Sequence, residues 1–199
     1  MELECPQMLL CPGRPYWNLP MSEGYKWGKD SVERLTRHAE KYGITLMYEN
    51  LNERESCLAT NRFDQFRVVK EIDSPNLKCC VDTVPVAYAG ETMEQYYEAF
   101  GQIGHVHFSG YGREGYMVPG TGELAALQQE NADGDATDVA PADKQGAKTV
   151  LERQLESLAA HHYEGDLVLG LWGAGYFKDP DAALRRSVQW VRESSLISM

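Results

Sequence analysis

The chain has 199 residues, of which 43% are hydrophobic and 25% are charged, so it is long enough for one globular domain with a real core. The formal net charge of −11 argues against nucleic acid and anionic membranes as partners. The cysteines form no C-x-x-C pair, and no apolar run reaches the roughly 20 residues of a membrane span. We therefore expect a reduced, cytoplasmic protein without a signal peptide.

The first predicted elements are a strand, an aromatic segment and a helix. Residues 8–11 are apolar and predict a strand. Residues 14–29 predict a loop with an unusual number of aromatic side chains, among them Trp17. That loop is either a packed flap or an apolar wall over a site. Asp30 with Glu33 three residues later matches a capping box, which predicts that a helix begins there.

Polar side chains mark the ends of the next three predicted strands. Residues 44–47 form a short apolar run that ends near Glu49, a second run ends at Asp82, and a third carries His105 and His107. The carboxyl ends of strands joined by crossover helices lie at one edge of a sheet, where ligands bind. Carboxylates and imidazoles from three successive strand ends are the donors of a divalent-metal site.

Cap residues predict where the intervening helices begin. Thr60 or Asn61 precedes an apolar stripe of helical period, and Thr92 with Gln95 predicts another capped helix. Between the Asp82 strand and Thr92, Pro85 favours a loop.

The last third of the chain continues the alternation of strand and helix. Residues 109–122 predict a glycine-rich loop that lacks the lysine of a phosphate loop, and residues 128–146 predict a polar surface insertion. A helix near Thr149, a strand over residues 167–171 and a helix opened by Asp179 follow. The whole pattern predicts an α/β fold with a parallel sheet and crossover helices.

A set of short motifs, weak singly and fairly specific together, resembles the xylose-isomerase-like barrels. The motifs are Ala39-Glu40-Lys41-Tyr42-Gly43 before Leu46-x-x-Glu49, Val81-Asp82-Thr83, His105-x-His107, Pro119-Gly120-x-Gly122 and Asp179-Pro180-x-x-Ala183-Leu184. The resemblance runs from about Met8 to Val191 and is strongest to sugar 3-epimerases such as tagatose, psicose and fructoselysine 3-epimerase. It implies a parallel (β/α) barrel.

The resemblance also implies a set of site residues. It places the first three ligands of a divalent metal on Glu49, Asp82 and His107. The substrate contacts that it implies fall on Glu55, six residues after Glu49, and on Arg113, six residues after His107. We add His105 and Trp17 as candidate substrate contacts. The expected cofactor is one divalent ion, Mn, Mg, Co or Zn, which could be weakly bound.

Three departures from the family pattern bear on function. Pro85 stands where the family has a substrate-binding histidine, and Gly170 stands where it has the final metal-binding glutamate. Only five strands are predicted instead of eight, and the chain starts near the fourth family strand. We therefore expect residues 1–199 to form a single partial barrel of about five strand–helix units.

The expected activity is a metal-dependent sugar isomerase or epimerase. A metal that polarises a sugar carbonyl and the neighbouring hydroxyl makes the C–H bond between them acidic, and Glu49 is the only base left of the family's pair. Two alternatives stay open, a non-catalytic relative that binds a ligand or a partner subunit, and a lyase on the same scaffold. An open sheet would leave two unpaired edges, so we expect a homo-oligomer or a complementing chain.

Overall fold

The fold is described from a computed structural model, which covers residues 4–53, 55–56, 58–112, 115–120, 149–170, 172 and 178–194. The expected insertion at 128–146 and Arg113 lie outside these residues. Five parallel strands form the main sheet: β1 (Gln7–Leu10), β2 (Thr45–Glu49), β3 (Leu77–Asp82), β4 (His105–Phe108) and, later in the chain, β7 (Leu167–Leu169). Their order is β1-β2-β3-β4-β7, so the sheet is a half-barrel and confirms the expected partial barrel.

Six helices and one small hairpin complete the described part of the chain. The hairpin pairs β5 (Gly110–Gly112) with β6 (Gly115–Met117) in antiparallel fashion, within the segment expected to be a loop. The helices are α1 (Met21–Glu40), α2 (Arg62–Ile72), α3 (Thr83–Tyr88), α4 (Met93–Phe100), α5 (Val150–Ala160) and α6 (Pro180–Glu193). No helix among the described residues is long and apolar enough to cross a membrane.

Four helix starts follow from local chemistry that the sequence displays. The side chains of Asn61 and Asp179 accept hydrogen bonds from the first turns of α2 and α6. Thr92 and Thr149 form complete capping boxes at α4 and α5. Each cap satisfies a backbone N–H that the helix itself cannot pair, so the predicted starts are confirmed.

The start of α1 at Met21 contradicts the expected start at Asp30. Half of the aromatic segment is helical, and the capping-box pattern of Asp30 and Glu33 lies within the helix rather than at its start. A Cβ atom on Gly28 would lie 2.7 Å from the Cδ1 of Leu58, and one on Gly24 would collide with the Pro15 ring. These glycines therefore allow two loops to pack closely against the helix, which offsets their low helix propensity.

The helix α3 replaces the loop expected after Asp82. The Asp82 carboxylate accepts a hydrogen bond of 2.8 Å from the backbone N–H of Val84 and so caps the helix. Pro85 falls in the first turn, where its missing N–H has no intrahelical partner to lose. The proline is therefore compatible with a short helix.

The two faces of the sheet have different roles. Side chains that point outward, such as Tyr48, Val81 and Phe108, are buried under the helices and form the core. Because side chains alternate along a strand, the other face carries the polar set. The register pairs Glu49 with Cys80, Cys80 with His105, and Asp82 with His107. Glu49, Cys80, Asp82, His105 and His107 thus share the inner face of the half-barrel.

A buried polar chain fixes the ends of β2 and β3. Asn50 accepts a hydrogen bond of 2.8 Å from the Asp82 backbone N–H and donates to the Tyr96 hydroxyl at 3.3 Å. Tyr96 donates to Glu91 at 3.0 Å, and Glu91 forms an ion pair of 2.6 Å with Arg62. Because each member satisfies the next, the chain holds the strand ends without an unpaired buried charge.

We expect the change Tyr96→Phe to lower the free energy of unfolding by about 1–3 kcal/mol, since it removes one partner from buried Glu91 and another from Asn50. Urea unfolding followed by circular dichroism measures this. The matched control is Tyr42→Phe at a side chain that is 56% exposed, where we expect a change within about 0.5 kcal/mol. Equal effects of the two changes would show that the polar chain does not stabilise the fold.

Candidate metal centre

The centre of the inner face is a direct contact between Glu49 and His107. The Nδ1 atom of His107 lies 2.5 Å from Oε1 of Glu49, and the glutamate is only 4% exposed. Burial lowers the pKa of His107, but the hydrogen bond and the negative charge of Glu49 outweigh it, so this pKa lies above its ordinary value. The pair comes from β2 and β4, with β3 between them.

Cys80 of β3 lies beneath this pair. One ligand atom from each of Glu49, Cys80 and His107 lies within 4.8 Å of the other two. The Cys80 side chain is fully buried, and burial raises its thiol pKa well above the ordinary value. A second thiol reaches the glutamate from the opposite side, since Cys11 donates a hydrogen bond of 3.2 Å to Oε2 of Glu49.

Asp82 neighbours this cluster, with both carboxylate oxygens engaged. One oxygen accepts the Val84 N–H, and the other accepts the Tyr116 hydroxyl at 2.8 Å. Burial raises the pKa of Asp82 to about 7, and the charge of Glu49 adds to the shift while the hydrogen bonds oppose it. The expected convergence of this carboxylate with Glu49 and His107 on one ion stays a prediction.

The other candidate residues surround the centre at different depths. Partial burial raises the pKa of Glu55, and the negative charge of Glu49 raises it further. The ring centroid of His105 lies 5.3 Å from that of His107, and burial followed by the charge of His107 lowers the pKa of His105. Trp17 is 96% exposed on the segment before α1 and touches none of these residues within hydrogen-bonding or ring contact.

Gly170 follows β7 and contributes no side chain. A Cβ atom built there would lie 3.2 Å from the Ser109 hydroxyl and 3.8 Å from the Tyr116 ring. The Ser109 hydroxyl donates a hydrogen bond to the Gly170 carbonyl. Gly170 therefore offers no ligand atom of its own side chain at the position where the family pattern has its final glutamate, and the side chains of Ser109 and Tyr116 lie next to it.

The donor set fits a divalent transition-metal ion. A carboxylate, an imidazole and a thiol are common zinc ligands, and bonds of about 2.0–2.3 Å in a tetrahedral site place ligand atoms roughly 3.3–3.7 Å apart. The ligand atoms of the observed cluster lie within 4.8 Å of one another, and the 2.5 Å contact between Glu49 and His107 would lengthen on binding. Sequence reasoning missed Cys80, although its position two residues before Asp82 puts it on the same strand face.

We expect the metal-free protein to lose stability as the pH rises from about 4 to about 7, partly through Asp82. A folded-state pKa of about 7, above the ordinary 3.8, means that folding takes up a proton in this range, so its contribution is greatest at low pH. Urea unfolding in chelator should show a weaker pH dependence for Asp82→Asn. Asn keeps the cap, so an unchanged pH dependence would contradict the raised pKa.

Comparisons with known proteins place the chain in a family. The model of the family described as xylose isomerase-like TIM barrel matches residues 1–194. Curated protein sequences give no match.

Solved structures resemble the fold at low sequence identity. The apo 3-keto-D-glucoside 4-epimerase from E. coli is 20% identical with a TM-score of 0.64, covering 93% of this chain and 63% of that one. The D-allulose 3-epimerase from Methylomonas sp. is 15% identical with a TM-score of 0.66, covering 94% and 63%. The IOLI protein with a bound zinc atom is 17% identical with a TM-score of 0.69, covering 97% and 64%.

The chain thus spans less than two thirds of the length of each of these structures. The likeness concerns the fold, and the family model covers nearly the whole chain. The parallel half-barrel, with its polar inner face at the carboxyl ends of β2, β3 and β4, agrees with that match. The chain belongs to the xylose isomerase-like TIM barrel family.

Proposed function

We propose that the chain acts as a metal-dependent sugar isomerase or epimerase, which moves a proton on a carbon next to a carbonyl group. The observation that supports this most is the buried contact between Glu49 and His107 on the inner face. A carboxylate held 2.5 Å from an imidazole, with a thiol below, combines a base with ligands for an ion. The sugar epimerases among the similar structures support a sugar as the substrate class.

In the proposed reaction, the ion and the residues of the site have separate roles. A divalent ion, when bound, supplies Lewis-acid polarisation of the substrate carbonyl. Glu49 removes the proton from the neighbouring carbon through a carboxylate oxygen, which requires the substrate to displace the Cys11 thiol from Oε2. Return of that proton by Glu49 to the former carbonyl carbon, with transfer of the hydroxyl proton from the neighbouring carbon's oxygen to the former carbonyl oxygen, gives aldose–ketose isomerisation. Epimerisation needs a second group on the opposite face of the carbon.

The remaining candidate residues would bind and orient the sugar. Glu55 offers acceptor oxygens near Glu49, and in the free protein Asn52 donates to it at 2.6 Å. The ring of His105 lies next to the ring of His107. We propose these two as substrate contacts, together with Trp17 from the segment before α1 and Arg113, which the sequence pattern suggests. Hydrogen bonds from such groups select hydroxyl-bearing ligands.

We expect the change Glu49→Gln to lower proton exchange by roughly 10²–10⁴-fold, because the amide cannot accept the proton. The measurement is deuterium incorporation from heavy water into a panel of ketohexoses and aldohexoses, followed by NMR with Mn²⁺, Mg²⁺, Co²⁺ or Zn²⁺ added. Glu98→Gln, on the exposed side of α4, is the matched control and should exchange normally.

Unchanged exchange in Glu49→Gln would place the base elsewhere. Absence of exchange in the unsubstituted chain, with every sugar and every metal, would favour the alternative of a non-catalytic relative. Elimination products in place of exchange would favour the lyase reaction.

We also propose that the purified chain self-associates through the two end strands of the sheet. Within the described residues, β1 and β7 each pair on one side only. Both carry exposed apolar side chains, since Met8 is 56%, Leu9 43% and Val168 41% exposed. Unpaired edges with apolar side chains favour pairing with another chain.

Sedimentation velocity at micromolar concentration should therefore detect a dimer or larger species. The change Leu9→Glu should shift this species toward the monomer, since it places a charge on the β1 edge. Phe63→Glu, at a side chain 65% exposed on α2, is the control and should leave the association unchanged. A cooperatively unfolding monomer would refute self-association, and co-purification of a defined second polypeptide would replace it by a complementing chain.

A further inference from the structure

We propose that Cys80 is a metal ligand and that the chain holds a Glu49–Cys80–His107 centre selective for zinc over manganese and magnesium. This inference rests on the proposed metal dependence and deepens it, because it replaces an oxygen donor by sulfur. Nothing in the family motifs of the sequence assigns a role to Cys80. Its position on the strand and its neighbours carry the argument.

Strand register places the Cys80 sulfur close to the contact between Glu49 and His107. Cys80 pairs with Glu49 on one side and with His105 on the other, so its side chain lies on the inner face between β2 and β4. Its sulfur, a carboxylate oxygen of Glu49 and a ring nitrogen of His107 are mutually within 4.8 Å. Three donors from three adjacent strands therefore lie close enough to bind one ion once the direct contact between Glu49 and His107 opens.

Cys79 provides an internal comparison for this arrangement. It is equally buried, but alternation along β3 turns it to the helix side, where it joins the hydrophobic core. Its sulfur donates weakly to the Gln102 carbonyl at 3.5 Å. The two adjacent cysteines thus have the same residue type and burial, and only one faces the polar centre.

Two positions of the family pattern, Asp82 and Gly170, do not offer a free oxygen donor in the described structure. Both Asp82 oxygens accept hydrogen bonds, one from the cap of α3 and one from Tyr116. Gly170, on the same face, has no side chain to offer. A third donor that is already directed at Glu49 and His107 is the Cys80 thiol, so the geometry favours a sulfur ligand.

Binding of the ion releases the proton of the Cys80 thiol. The Cys80 S–H bond breaks, a sulfur–metal bond forms, and the thiol proton leaves to solvent. The resulting thiolate, together with the Glu49 carboxylate, brings two negative charges that neutralise a divalent ion in this buried position. Thiolate and imidazole donors favour zinc, whereas magnesium and manganese favour oxygen.

A purely structural role for Cys80 makes a different prediction. A buried free cysteine often acts only as a small apolar side chain that fills space. In that case an ion held by Glu49 and His107 would carry no sulfur ligand. Cobalt(II) distinguishes the two roles, because a thiolate bound to it gives an intense charge-transfer absorption in the near ultraviolet that oxygen and nitrogen ligands do not give.

The test is a Co²⁺ titration of the full chain under reducing conditions, followed by absorption spectroscopy. We expect a thiolate charge-transfer band that saturates at one equivalent, is lost in Cys80→Ser and is retained in Cys79→Ser and Cys11→Ser. Competition should show Zn²⁺ binding at least 100-fold more tightly than Mn²⁺, with this preference reduced at least tenfold in Cys80→Ser. Cys80→Ala serves as the second variant if Cys80→Ser does not fold.

The outcomes separate this inference from the proposed function. Visible cobalt bands without the charge-transfer band, lost in Glu49→Gln, would overturn sulfur ligation and leave the metal-dependent function intact. A charge-transfer band that disappears in Cys11→Ser but persists in Cys80→Ser would also overturn it. A Cys80-dependent band in a chain that exchanges no sugar proton would uphold the centre and refute the isomerase activity.

Discussion

The contact between Glu49 and His107 is the constraint on which the inner face depends. The strands that carry these residues are separated by β3, and neighbouring strands lie about 4.8 Å apart, so the two backbones are about 10 Å apart. The side chains meet at 2.5 Å because the sheet curves toward its inner face and because β3 places a small residue, Cys80, between them. A larger side chain at that position would compete with the pair for the same space.

The buried carboxylate of Glu49 needs partners, and the surrounding structure supplies them. His107 and Cys11 donate to its two oxygens, which compensates part of the cost of removing the charge from water. Behind the sheet, the polar chain through Asn50 and Tyr96 holds the ends of β2 and β3 in register. The inner face can therefore carry buried polar groups while its backbone is fixed from the helix side.

The sequence allowed the fold and much of the candidate centre to be predicted because both follow from local pattern. Short apolar runs ending in Glu49, Asp82 and His107 identify the strand ends, and alternation along a strand puts the polar groups on one face. The start of α1 was predicted wrongly because the capping-box pattern of Asp30 and Glu33 lies inside the helix, and because Gly24 and Gly28, which disfavour a helix locally, serve close packing between distant segments. That packing is a tertiary effect without a local signal.

Cys80 escaped prediction for a related reason. Within a buried strand, a cysteine that packs and a cysteine that faces a polar group look alike in sequence. Alternation along β3 puts Cys79 and Cys80 on opposite faces and Cys80 on the face of Asp82, but the register between β2, β3 and β4 is needed to show that Cys80 lies beside Glu49. By contrast, His105 and His107 share a face through alternation within β4 alone, which a single strand shows.

The candidate centre lies on the three central strands of the sheet, away from its two edges. Glu49, Cys80, Asp82 and His107 come from the three central strands of the half-barrel, each paired on both sides. Their backbone geometry therefore does not depend on what covers β1 or β7. Gly170, by contrast, follows β7, an end strand that is paired on one side only. The position that carries the fourth ligand in the family pattern therefore lies at the least constrained edge of the sheet. The absence of a side chain at that edge leaves Glu49, Cys80, Asp82 and His107 in place, and the Cys80 sulfur that we propose as a ligand belongs to a strand paired on both sides.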